Sequence, residues 1–300
     1  MSGMELGIVF ALSTAFSWAL AGVIHTSASR LVGIGTLMLV RQPLATAALG
    51  VCCLLLGRLL PPSPHLFWLA AASGLCGIII GDACFYAGAL SMGLRPTQVC
   101  QSLSASFTAL LGALFLDERI GLQGWTGMAV ATCGVILVVV SEQRDAHNPP
   151  LDKRRRNRGL MFALMSALFL AAGMIFSKQA LDDGMGALPL AFYRNAISTG
   201  VIWAAGLVRG AIRPAFGALR ANPGVIRLFL LGCLFGPAGG IWLSCVALEY
   251  LPAAVASMLI ELEPIALLII LGVMERRVPA RNSILGAIIA CAGAAVLLSR

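Results

Sequence analysis

Charge is what this sequence has least of. Charged side chains make up 11% of its 300 residues, against roughly 25% in soluble globular domains. With a mean hydropathy of +0.92, that shortage excludes a water-soluble domain and predicts an integral membrane protein. Short alternating runs of the barrel kind are missing too, so the spans are expected to be helices. The nine cysteines include no CxxC pair and have no neighbouring His, which excludes a disulfide framework or zinc site and leaves them as small buried hydrophobes. Met4 to Ile24 has no Lys or Arg before it and no small-residue cleavage site after it, so it reads as a first span rather than a signal peptide. No GxxxxGK[ST] loop is present to bind ATP, and no cofactor is expected. An intramembrane enzyme lacks its motifs: there is no HExxH, Ile79 stands where a GxGD site ending at Asp82 needs its first Gly, and Ser73-Gly74 lacks the Gly of a GxSG nucleophile. No ring-forming residue pattern suggests a channel.

What is present is a succession of apolar runs, each near the ~20 residues that cross a bilayer. Ten spans are predicted: 4–25, 33–57, 66–91, 96–116, 121–141, 159–181, 187–209, 225–249, 252–274 and 281–299. The polar stretch Ser141 to Arg158, which carries Lys153-Arg154-Arg155-Arg156, divides them into five and five. The predicted fold is therefore an all-α polytopic membrane protein, with residues 1–141 and 159–300 as halves and 142–158 as a basic linker.

The halves echo one another. GIVFAL from Gly7 matches GLMFAL from Gly159, and Gly22 finds Gly173. Arg41 finds Arg194, and Gly77 and Gly81 find Gly236 and Gly240. Asp117-Glu118-Arg119 is echoed by Glu275-Arg276, and Gly127 and Gly134 return as Gly286 and Gly293. An odd number of spans per half makes the repeat an inverted one. Of the 21 Lys and Arg, 15 fall on the linker side, 4 on the side of the termini and 2, Arg41 and Arg194, within spans. The net charge of +8 thus orients the chain rather than binding nucleic acid, and it predicts a cytoplasmic linker with both termini outside.

Each half has a Gly in its first helix, an Arg in its second and an Ala-Leu pair closing its third (Ala89-Leu90, Ala247-Leu248). Each also has an acidic-Arg pair after its fourth and a Gly-x6-Gly in its fifth. This pattern resembles the ten-helix, EamA-type branch of the drug/metabolite transporter superfamily over essentially the whole chain. The chain departs from it at Ser106-Phe107, where the second half has Pro264, and at Ser27, where the second half has Lys178. The resemblance implies a carrier of small organic metabolites in a bacterial inner (plasma) membrane, with the YddG-like amino-acid exporters as the nearest subgroup. Efflux of drugs or organic cations is the alternative, and the expected partners are a small-molecule substrate and lipid around a monomer.

Ionisable groups within spans cost at least about 2.5 kcal/mol near the bilayer centre, which makes each a functional candidate. They are His25, Arg41, Asp82, Arg194, Glu249, Glu261 and Glu263. Glu261 is expected to face a cavity together with Ser257, near a bend at Pro264. Two residues further along the helix, Glu263 points about 200° away from it, so the two are not expected to face one cavity. Asp82 and Tyr86 share a face suited to an ammonium and an apolar group, unless Asp82 pairs with Arg41. Trp18, Gln101 and Trp242 are further candidates for the cavity wall. Arg41 and Arg194 either hold alternate gates through carboxylates, attract anionic groups, or snorkel to the interface. Pro237 is expected to kink its span beside Gly236, and His25 reads as interfacial rather than as a proton relay.

Overall fold

The computed structural model describes residues 3–58, 63–101, 103–116, 121–143, 152–275 and 281–298. The echoed residues Asp117, Glu118, Arg119 and Arg276, and residues 144–151 of the linker, lie outside them. The described residues are almost wholly helical. In chain order they form α1 (Gly3–Leu55), α2 (Pro64–Met92), α3 (Leu94–Gln101), α4 (Leu103–Phe115), α5 (Leu122–Gln143) and α6 (Lys153–Asp182), then α7 (Ala187–Val208), α8 (Ile212–Ala221), α9 (Val225–Tyr250), α10 (Ala253–Ile260), α11 (Glu263–Glu275) and α12 (Arg281–Leu298). Among the described residues, α1, α2, α6 and α9 are long and apolar enough to cross a membrane.

The first two predicted spans are the two arms of α1. They divide at Gly33, whose φ of 81° and ψ of 158° suit a residue without a Cβ. The chain doubles back there. His25 and Arg41 both bond the Tyr86 hydroxyl, at 3.1 and 3.0 Å, although 16 positions (41 − 25) would separate them by about 24 Å along one straight helix.

Two predicted boundaries change. Helix α6 begins at Lys153, so the basic run is the first turn of a helix rather than the end of a linker, and Arg155 donates to the Leu90 carbonyl at 3.0 Å. The loop expected between the seventh and eighth spans contains α8, an amphipathic helix that buries Ala215 and Leu219 and carries Arg213 and Arg220. It packs through Leu219 against Phe85, Val225 and Phe229.

Packing follows membrane rather than aqueous rules. The buried positions are dominated by Ala, Gly and Ser, which let backbones approach. Large side chains such as Leu12, Phe16, Leu114, Phe115 and Leu164 face outward. The closest approach is between α5 and α12. A Cβ on Gly134 would lie 2.3 Å from the Ala290 nitrogen, and one on Gly293 would lie 2.4 Å from the Ala131 nitrogen. These contacts are reciprocal, since one offset takes Ala131 to Ala290 (290 − 131 = 159) and Gly134 to Gly293 (293 − 134 = 159). The low-numbered end of each helix meets the high-numbered end of the other, so the pair is antiparallel. The second arm of α1 meets α7 in the same manner. Thr46 and Thr199, at the offset of Arg41 and Arg194 (199 − 46 = 194 − 41 = 153), bond each other at 2.8 Å. Trp203 donates to the Leu39 carbonyl at 2.9 Å, while Phe192, the counterpart of Leu39, abuts Gly50, the counterpart of Trp203.

Candidate functional site

Between these elements lies a cavity of about 810 Å³, its open mouth included. Its walls come from both halves: Trp18, Gly22, Asp82, Tyr86, Gln101 and Ser104 from the first, and Met174, Arg194, Ile241, Ser244, Ser257 and Glu261 from the second. Polar and charged side chains, among them Asp82, Arg194 and Glu261, converge on the cavity between apolar ones such as Met174 and Ile241, as in small-molecule sites.

The acidic wall is made by a break in the ninth span. Helix α10 ends at Ile260 and α11 starts at Glu263, with Glu261 and Leu262 in a tight turn between them, where the Glu261 N–H bonds the Ser257 carbonyl at 2.9 Å and the Leu262 N–H bonds the Leu259 carbonyl at 3.2 Å. Pro264 explains the restart, because in the first helical turn its missing N–H costs nothing. A carboxylate at that helix start, Glu263, also meets the positive end of the dipole. The break overturns the expectation that the two glutamates cannot share a cavity. The 200° separation belongs to a continuous helix, and here both Glu261 and Glu263 line the site. Ser104 donates to Glu261, Gln98 donates to Glu263 at 2.7 Å, and Ser257 meets Thr108 at 3.2 Å. Pro264 itself does not line the cavity.

On the first-half side, Asp82 borders the cavity and pairs with the guanidinium of Arg41. Arg41 is 0% exposed, so it neither snorkels nor faces the cavity. It also donates to the Tyr86 hydroxyl at 3.0 Å and lies over that ring, 5.1 Å from its centre. The same Tyr86 hydroxyl is hydrogen-bonded with Nδ1 of His25 at 3.1 Å. His25 is therefore not interfacial. It is fully buried behind the cavity, pressed against Gly232 and Gly236, because those glycines leave room for its ring.

Arg194 is placed differently. It is 4% exposed and lines the cavity, where its Nη1 reaches the Cys245 sulfur at 3.6 Å and its Nε has no partner. Pro237 sits behind this wall in a wide π-helical turn over Leu234–Ala238, and its carbonyl accepts from Asn195 at 3.1 Å. A second such turn, Gly74–Gly81, carries Gly77 and Gly81 in α2. Turns of this kind recur at functional sites.

Of the residues predicted for the wall, Trp18, Asp82, Tyr86, Gln101, Ser257 and Glu261 all border the cavity. Trp242 does not. It is 41% exposed on the outer face of α9, because Ile241 and Ser244 hold the inward face, about 100° and 200° around the helix from it. Glu249 is exposed at the end of α9 and accepts from the Ala187 N–H at 2.5 Å, capping α7. Ser104 and Gln98 escaped notice. The signal was present in residues 97–106, TQVCQSLSAS, where six of ten side chains are polar inside a predicted span.

One solved structure, described only as the crystal structure of a protein, superposes with a TM-score of 0.74 at 16% identity, covering 100% of this chain and 97% of that one. It establishes a shared fold. No curated protein matches the sequence. The EamA-like transporter family matches residues 5–140 and again residues 157–299. On the strength of that double match, the chain is an integral membrane protein and belongs to the EamA-like transporter family.

Proposed function

We propose that the protein is a secondary carrier that moves small organic metabolites, amino acids first among them, outward across a bacterial plasma membrane by alternating access. The observation that carries this reading is a cavity walled by both halves where the helix is interrupted between α10 and α11, the arrangement by which carriers expose polar groups inside a bilayer. The reciprocal antiparallel contacts at α5–α12 and α1–α7 support two inverted five-helix repeats rocking about that site. The basic linker faces the cytoplasm and the termini lie outside. A C-terminal reporter active only in the cytoplasm should be silent, and a reporter signal from the cytoplasm would reverse the orientation.

Glu261 and Glu263 favour a substrate bearing an ammonium group, since Asp82 is paired with Arg41, and the lining from Trp18, Met174 and Ile241 favours an apolar body. The same two acids favour a second reading, efflux of organic cations. In either case Glu261→Gln removes the carboxylate while keeping an oxygen for the Ser104 hydroxyl. The variant is expected to fold and to lose uptake into proteoliposomes by roughly tenfold or more, the equivalent of about 1.4 kcal/mol. Near-normal transport would defeat the assignment of Glu261 to the substrate path.

A further inference from the structure

The two halves treat their span-embedded arginines unequally. The offset that pairs Gly77 with Gly236 (236 − 77 = 159) pairs Asp82 with Ile241 (241 − 82 = 159) and Tyr86 with Cys245 (245 − 86 = 159). Arg41 bonds Asp82 and Tyr86. Arg194, its counterpart, bonds Cys245 where Tyr86 would be. Ile241, which stands where Asp82 would be, lines the same cavity and carries no carboxylate. The second half therefore repeats the arginine site with its carboxylate deleted and the space opened to the cavity. Asp82 lies within electrostatic reach of Arg194 as well, but its direct bond goes to Arg41. Glu261 and Glu263, on the α10–α11 wall, are hydrogen-bonded to Ser104 and Gln98 rather than to Arg194.

A buried guanidinium without its anion is costly, and a planar fork of N–H donors matches a carboxylate in two-point fashion. We infer that Arg194 is the anion subsite of the cavity and that the substrate's own carboxylate supplies the counter-ion that Ile241 withholds. This rests on the carrier reading and deepens it: the carboxylate end of the substrate lies toward α7 and α9, and its ammonium toward the glutamates of α10–α11. An organic cation without an acid group is then the wrong ligand.

The test uses purified full-length protein and four probes of similar size: phenylalanine, 3-phenylpropionate, phenylalaninamide and phenethylamine. Binding is followed by intrinsic tryptophan fluorescence, since Trp18 borders the cavity, and transport by uptake into proteoliposomes. The two carboxylates are expected to bind wild type at least about tenfold more tightly than the amide and the amine. Arg194→Gln should erase that preference by removing the fork, and Ile241→Asp should erase it by supplying an internal counter-ion. Arg194→Lys, which keeps the charge, should keep the order of preference at weaker affinity, so the proposal stays testable if another variant fails to fold. Equal or better binding of the amine, failure of either carboxylate to bind wild type, or an unchanged preference in Arg194→Gln or Ile241→Asp would overturn it. Amines carried in place of carboxylates would sink this subsite and leave the carrier standing, whereas carboxylates bound with the expected preference but never moved would do the reverse.

Discussion

Arg41 has no route to water, and everything around it follows from that. It is 0% exposed in a membrane-spanning arm, so its charge must be met within the protein. Asp82 meets it, and Tyr86 and His25 extend the bonds outward from the guanidinium. Removing one partner of a buried pair leaves the other uncompensated, which costs about 3–5 kcal/mol, whereas removing both together is far cheaper. Asp82→Asn should therefore lower the thermal unfolding midpoint in detergent, and adding Arg41→Met should restore most of the loss. A single variant as stable as wild type would mean the pair is not structural. The sequence made Asp82 and Arg41 legible as a possible pair, because ionisable residues inside spans are so few. It could not place His25, since an imidazole eight positions before the break at Gly33 looks interfacial until the glycines that receive it, 232 and 236, are brought alongside.

At the scale of elements, glycine and proline decide the geometry. Apolar runs could be read from hydropathy alone because the bilayer sets the length they need. Interruptions within spans could not. Pro264 foretold a bend, but not that α10 would end at Ile260 and bring both glutamates to the cavity, since that depends on how the restarted helix packs. Helix α8 was hidden because its apolar face is only a short stripe between arginines. The Gly-x6-Gly echo was visible, and the structure gives it a cause: Gly134 and Gly293 each lie against the partner helix backbone. Gly134→Leu has no flexible neighbour to displace. It should destabilise by more than the roughly 1–3 kcal/mol of ordinary overpacking, read as lost monodispersity on size-exclusion chromatography. Gly217, in the amphipathic helix α8, has open space around it and should accept Ala without such loss. A folded, monodisperse Gly134→Leu protein would contradict the close crossing.

For the whole molecule, the claim is that one cavity, shared by two halves, is the path of the substrate. Sequence repetition suggested the halves, yet a cavity is a product of tertiary packing and has no signature along the chain. Gly22 offers the cleanest way to close it. Gly22 lines the site within a helix, and a Cβ there would meet Gln98, Glu263 and Leu94 at 3.6, 3.7 and 4.0 Å, ordinary contacts that a larger side chain would extend into the void. The decisive measurement is counterflow of radiolabelled phenylalanine in proteoliposomes containing wild type or Gly22→Phe. The account predicts saturable exchange by wild type and its loss in a variant that stays folded and monodisperse. Exchange at the wild-type rate through the filled cavity would contradict it.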